Sequence, residues 1–150
     1  MSTPKILLGV TGGIAAYKAA ELTRALIKSG AEVQVILTGR AEAFVTPLTL
    51  ATLSGHRVWK DEFPAEPSPS MGHIELGRWA EALLIAPATA NSLARLAHGL
   101  ADDLLSSVAL VFQGPLVIAP AMNPRMWDHP ETRANVQRLR RRGATIVEPD

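Results

Sequence analysis

The sequence predicts an α/β domain of three layers, α/β/α, built on a doubly wound parallel sheet. Two features of the pattern carry this expectation. Short apolar runs alternate with longer segments of helical periodicity, and the first two runs flank a helix of the length that a parallel crossover needs. The runs are also apolar at successive positions rather than at alternate ones. A strand of that kind is buried on both faces, which a parallel sheet covered by helices provides. Right-handed crossovers then limit the topology to a doubly wound sheet.

Lys5 to Val10 is the first run, and it ends at Thr11-Gly12-Gly13. Ile14 to Lys28 follows, with Ala15, Ala19, Leu22 and Leu26 at helical spacing and Ser29-Gly30 as a helix stop. Glu32 to Leu37 is the second strand and stops at Thr38-Gly39. Ala41 to Leu53 reads as helix broken near Pro47, and His56 to Trp59 as a short strand. Asp61 to Gly72, with Pro64, Pro67 and Pro69, reads as an irregular, mobile loop. Ala82 to Ala86 is a buried strand, followed by Pro87-Ala88-Thr89-Ala90-Asn91. Ser92 to His98 and Leu104 to Phe112 read as helices, Leu116 to Ala119 as a further strand, and Ala144 to Val147 as the last one. Pro130 to Arg142 is an amphipathic helix with proline in its first turn. The loop at Asp61 to Gly72 is not a domain boundary, because too little chain lies on either side for two such cores. Residues 1–150 are therefore expected to form one domain.

Composition narrows the function. The chain is 47% hydrophobic and 19% charged, enough apolar material for a sizeable core. Its 15 basic and 14 acidic residues leave a net charge of +1, without the basic surplus of a nucleic-acid binder. Arg138 and Arg140 to Arg142 read as a solvated helix C-terminus favoured by the helix dipole. No cysteine is present, which excludes disulfides, thiolate metal sites and cysteine nucleophiles within this chain, and no metal is expected. No signal-peptide pattern or membrane-length apolar run is seen, so no membrane association and a cytoplasmic protein are expected.

Open α/β sheets bind ligands beyond the carboxyl ends of their strands. Three such ends are unusual here. At Gly9 to Ile14, Gly12 and Gly13 would let backbone N–H groups approach an anion, or would simply make a tight turn. The spacing departs from the G-x-G-x-x-G dinucleotide fingerprint, and the second strand ends in Thr38 where a ribose-binding acid would stand. Both departures favour a mononucleotide with a terminal phosphate, such as FMN. At Ile85 to Ser92, small residues leave room for a flat ring, and Thr89, Asn91 and Ser92 are polar partners; Thr89 or Asn91 serves equally as a helix N-cap. At Ala119 to Trp127, Asn123 sits between Pro120 and Pro124, which stiffen the loop for positioning a substrate or for a structural turn that uses Met122, Met126 and Trp127 as core filler.

Four stretches are more specific in combination. They are Gly12-Gly13-Ile14-Ala15, the histidine motif from His73 to Ala80, Pro87-Ala88-Thr89-Ala90-Asn91, and Pro120 to Trp127, which matches Pro-x-Met-Asn-x-x-Met-Trp in full. Together they resemble the flavin-containing cysteine decarboxylase family, across essentially the whole chain. Leu93 to Leu105, with Ala101-Asp102-Asp103, is most similar to its coenzyme A branch, the phosphopantothenoylcysteine decarboxylase domain of bacterial bifunctional proteins. Glu81 stands where the family usually has aspartate.

The resemblance implies a Rossmann-like flavoprotein that uses FMN to decarboxylate 4′-phosphopantothenoyl-L-cysteine to 4′-phosphopantetheine. It implies FMN contacts from Gly12, Gly13, Ile14, Thr38, Thr89, Ala90, Asn91, Ser92 and Ala121. It implies that His73 assists proton movement at the substrate thiol, and that Asn123 holds the substrate carboxylate with Met126 nearby. Outside its motif, His73 would read as an ordinary histidine. In the family route FMN oxidises the thiol to a thioaldehyde, whose C=S accepts electrons as CO₂ leaves. The family's substrate clamp with a proton-donating cysteine would lie just beyond Asp150, and it and the fused synthetase domain are absent from residues 1–150: either these residues are a piece of a longer protein or those parts have been lost. The family also implies homo-oligomers, trimers assembled into dodecamers, with FMN at subunit contacts. Two other readings stay open: a flavin prenyltransferase, disfavoured by the Pro120-Ala121-Met122-Asn123 loop, and a non-catalytic flavoprotein regulatory subunit.

Overall fold

The structure, a computed structural model, describes residues 3–60 and 72–149. A six-stranded sheet, parallel at every pairing, runs through the centre in the order β3-β2-β1-β4-β5-β6. Its strands are β1 (Lys5–Val10), β2 (Glu32–Leu37), β3 (Trp59–Lys60), β4 (Ala82–Ala88), β5 (Leu116–Pro120) and β6 (Thr145–Ile146). The chain starts in the middle of the sheet, winds to one edge, returns beside β1 and winds to the other. This is the doubly wound, Rossmann-like arrangement the sequence predicts, with its strand order reversing between β1 and β4.

The largely apolar strands are divided between two cores. Leu7 of β1, Ile36 of β2, Leu83 and Ile85 of β4 and Ile118 of β5 pack on one face. Leu8, Val10, Val33, Val35 and Leu37 pack on the other. Each of these side chains is at most 1% exposed. Full burial of one such side chain contributes about 1.5–3 kcal/mol, so both faces of the sheet are held by their helices.

The helices are α1 (Ala19–Lys28), α2 (Pro47–Ser54), α3 (His73–Trp79), α4 (Ala90–His98), α5 (Leu104–Val111), α6 (Pro124–Asp128) and α7 (Pro130–Arg141). Local chemistry starts most of them. Thr46, Thr89, Asp103, Asn123 and His129 each accept a backbone N–H as N-caps, and Pro47, Pro124 and Pro130 occupy first-turn positions. Asp103 and Ser106 complete a reciprocal capping box at α5. Gly99 closes α4 at φ +68°, a left-handed geometry that a residue with a Cβ adopts at a cost.

Several boundaries differ from expectation. The helix predicted over 14–28 opens as a tighter 3₁₀ segment, Ile14–Lys18, before α1. The one predicted over 41–53 is split into a 3₁₀ turn at Gly39–Ala43 and α2, because Pro47 has no N–H to carry a helix through. The strand expected at His56 to Trp59 is confined to Trp59–Lys60. β4 continues to Ala88, past Pro87, with a register shift against β5 between Ile85 and Ala88. α3 and α6 were not anticipated as helices; at seven and five residues they are too short to display a period. The loop expected over 61–72 lies, apart from Gly72, outside the described residues. Arg138 and Arg140 to Arg142 stand at the end of α7, as expected. There Arg140 pairs with Glu148 at 2.8 Å and Arg142 donates to the Leu96 carbonyl at 2.6 Å. The Arg140 hydrogen bond and charge hold the Glu148 carboxyl below its usual range. Among the described residues, no helix is long and apolar enough to cross a membrane.

Candidate functional site

The carboxyl ends of β1, β2, β4 and β5 open onto one cleft of about 830 Å³. That volume lies in the range of small-molecule and cofactor sites, and the cleft occupies the topological switch point where such sites form. Each strand contributes the segment that follows it. Gly12, Gly13 and Ile14 come from the β1 end, Thr38 from β2, Thr89 to Ser92 from β4, and Ala121, Asn123 and Met126 from β5. All positions predicted to bind cofactor or substrate thus line the same cleft. His73 is the exception: its backbone opens α3, and its side chain lies outside what the structure describes.

The β1 end is shaped by close packing. A Cβ on Gly12 would lie 2.8 Å from the Arg40 carbonyl carbon and 3.0 Å from its Cα, and closer still to its Cβ. Only glycine lets the β1 and β2 rims approach this closely. A Cβ on Gly13 would meet Thr89 Cγ2 at an ordinary 3.5 Å. Gly13 and Thr38 each stand at the N-cap of a 3₁₀ segment without a side-chain capping bond, so neither turn spends a side chain on its first N–H groups. Lys18 and Arg40 both line the cleft, and neither has an ion-pair partner among the described residues. Free backbone N–H groups beside two cations suit a phosphate.

At the β4 end the N-cap and ligand-lining readings coincide. Thr89 caps α4: its Oγ1 accepts from the Ser92 N–H at 3.1 Å and lies 3.0 Å from Ser92 Oγ. Thr89 N–H donates to Thr11 Oγ1 at 3.0 Å, and Thr11 Oγ1 donates to the Pro87 carbonyl at 2.7 Å. Arg95, one turn after Asn91, completes this wall. Its guanidinium pairs with Asp103, itself the N-cap of α5, and lies 3.5 Å from Asp102.

At the β5 end, Asn123 Oδ1 accepts from Arg125 N–H at 2.8 Å and caps α6. That bond occupies the amide oxygen and leaves its two N–H donors for the cleft. Met122 and Trp127 pack against the core, whereas Met126 is 49% exposed and lines the cleft. The core-filler reading therefore holds for two of these three residues. Arg133 stacks on Trp127 at 4.7 Å and pairs with Asp128, tying α6 to α7.

Sequence reasoning missed Thr11, Tyr17, Lys18, Arg40 and Arg95 as parts of this site. Two carried a signal: Lys18 follows the glycine turn by little more than one helical turn, and Arg95 shares a helix face with Asn91. Thr11 carried none, because its partners are remote in sequence. Among the described residues no cluster of histidines and acids could hold a metal ion.

A family model described as Flavoprotein matches residues 1–150. The coenzyme A biosynthesis bifunctional protein CoaBC of Vibrio parahaemolyticus is 48% identical over 97% of this chain and 36% of its own length. The corresponding protein of Escherichia coli K12 is 47% identical over 97% of this chain and 36% of its own length. The chain thus spans about a third of the length of these relatives. Among solved structures, the FMN-dependent cysteine decarboxylase SpaF superposes with a TM-score of 0.92 at 37% identity, covering 98% of this chain and 85% of its own. A PPC decarboxylase variant complexed with pantothenoylaminoethenethiol gives 0.86 at 34% identity, covering 99% and 84%.

Proposed function

The chain belongs to the Flavoprotein family, and from that membership we propose that it is an FMN-dependent decarboxylase domain. It converts 4′-phosphopantothenoyl-L-cysteine to 4′-phosphopantetheine, as a cytoplasmic carboxy-lyase of coenzyme A biosynthesis. The observation that supports this most is the convergence of three motif-bearing strand ends on one cleft that offers small residues, unspent N–H groups and two cations. A cleft lined by small residues, backbone N–H groups and cations fits a flat ring carrying a phosphate.

In this reading Gly12, Gly13, Ile14 and Thr38 receive the phosphate end of FMN. Thr89, Ala90, Asn91, Ser92 and Ala121 border its ring. Bound FMN supplies the two-electron oxidation and return at the thiol-bearing carbon that lets CO₂ leave. Asn123 directs its amide N–H groups at the substrate carboxylate and fixes the bond to be broken, with Met126 beside it. His73 moves the proton at the substrate sulfur. The domain works as a homo-oligomer, a trimer that assembles further into dodecamers. Ile14 and Tyr17, 78% and 59% exposed beside the cleft, are the apolar surface that a neighbouring subunit would cover.

The test is to purify the full-length protein, add FMN and record the flavin absorption band. It is then incubated anaerobically with 4′-phosphopantothenoyl-L-cysteine, and the product is identified by mass spectrometry. Binding of FMN and loss of CO₂ are expected. A protein that takes up no FMN overturns the cofactor assignment. One that binds FMN but decarboxylates only peptides ending in cysteine overturns the substrate assignment.

A further inference from the structure

The geometry points to Thr11 as a positioning residue for the flavin cleft: its hydroxyl locks the β1 rim to the β4 loop that faces it. The inference rests on the FMN reading above and extends it to a residue outside the cleft lining.

Thr11 is the first residue after β1 and is 1% exposed. Its carbonyl accepts from Gly13 N–H at 3.1 Å, and three further bonds tie it to the segment that follows Ala86. Its N–H donates to the Pro87 carbonyl at 3.2 Å, its Oγ1 donates to the same carbonyl at 2.7 Å, and its Oγ1 accepts from Thr89 N–H at 3.0 Å. They fall where the sheet ladder itself fails. β1 pairs with β4 only as far as Gly9–Ile85, and β4 shifts register against β5 between Ile85 and Ala88. Beyond that point Thr89 N–H finds its acceptor in a side chain. The hydroxyl thus adds two bonds to the one backbone bond left there and joins segments 76 residues apart in the chain.

The segments it joins are the two walls of the switch-point crevice. Gly12 and Gly13 follow Thr11 directly, and Thr89 is the N-cap from which α4, Asn91 and Ser92 are aimed. Gly13 and Thr89 both line the cleft and lie close together, a Cβ on Gly13 being at contact distance from Thr89 Cγ2. When the hydroxyl is removed, Thr89 N–H loses its acceptor at a part-buried junction. A donor shielded from water in this way is relieved by moving the loop toward another acceptor. A ligand must then draw the walls back into register, and its affinity falls accordingly.

Thr11→Val keeps the shape and branching of the side chain and deletes both hydroxyl bonds. Thr11→Ser keeps the hydroxyl and deletes a methyl group. In the full-length protein, stripped of flavin and titrated with FMN well below its Tm, we expect Thr11→Val to bind FMN about tenfold to hundredfold more weakly. We expect Thr11→Ser to stay within about threefold of the parent. This rescue by serine separates positioning through the hydroxyl from packing through the methyl. Thr11→Val binding within threefold of the parent overturns the inference. So does a tenfold loss in Thr11→Ser, even where Thr11→Val does not fold. Failure of the parent protein itself to bind FMN sinks the cofactor reading instead, so the two failures are distinguishable.

Discussion

Replacing Asn123 by aspartate in the full-length protein reverses the chemistry of the side chain and leaves its structural task intact. Asn123 Oδ1 caps α6 through the Arg125 N–H at 2.8 Å, and a carboxylate oxygen accepts that bond equally well. A negative charge at a helix N-terminus is, if anything, favourable by about 0.3–1 kcal/mol. What changes is the other half of the group, where two N–H donors become an anionic oxygen. Opposed to a substrate carboxylate at about 4 Å, that charge costs from about 1 kcal/mol in water to about 4 kcal/mol at a protein surface. The lost hydrogen bond to a charged group adds about 1.5–3 kcal/mol. The total of about 2.5–7 kcal/mol corresponds to roughly 10²–10⁵-fold in kcat/KM. Asn123→Ala inverts the pattern: it loses the cap, at about 1 kcal/mol of stability, and loses the donors without adding repulsion. Stability should therefore rank aspartate at or above asparagine and alanine below both. Turnover should rank asparagine far above alanine and alanine above aspartate. Thermal melts, FMN titration and single-turnover CO₂ release measure the two orders. An aspartate variant that retains FMN and turns over within tenfold of the parent would refute the carboxylate-binding role.

Other positions test the frame around that site. Gly12→Ala places a methyl group against the Arg40 backbone and should cost about 1–3 kcal/mol of stability, whereas Gly13→Ala, with an ordinary contact to Thr89, should fold as stably as the parent; Tm compares them. Gly9→Ala meets Leu105 Cδ1 at 2.6 Å, so its destabilisation should be partly relieved when combined with Leu105→Ala, a non-additivity that a double-mutant cycle of denaturant melts detects. Asp103→Ala removes the α5 cap and the Arg95 partner and should lower stability by about 1–2 kcal/mol or more, while Asp103→Asn keeps the cap and should recover most of the loss in the same melts.

Much of this was legible in the order of residues along the chain. β1 and β2 fall at the predicted bounds because their runs are near-continuously apolar between turn residues, and consecutive side chains such as Leu7 and Leu8 or Val35 and Ile36 are buried on opposite faces. Thr89 and Pro130 mark helix starts through chemistry that acts within a few residues. The glycine pair, the proline-flanked asparagine and the small residues after β4 could each be marked as strand-end features before their arrangement was known. What the linear sequence could not supply is adjacency. Periodicity reports whether a strand is buried, not which strand lies beside it. The placement of β4 against β1, and with it the convergence of three separated rims on one cleft, is a product of the crossovers. Thr11 meets Pro87 and Thr89 only after that placement. Local bonds write themselves into sequence spacing, whereas contacts between remote segments do not. The sequence therefore determined the elements and the ingredients of the site, and tertiary packing decided its walls.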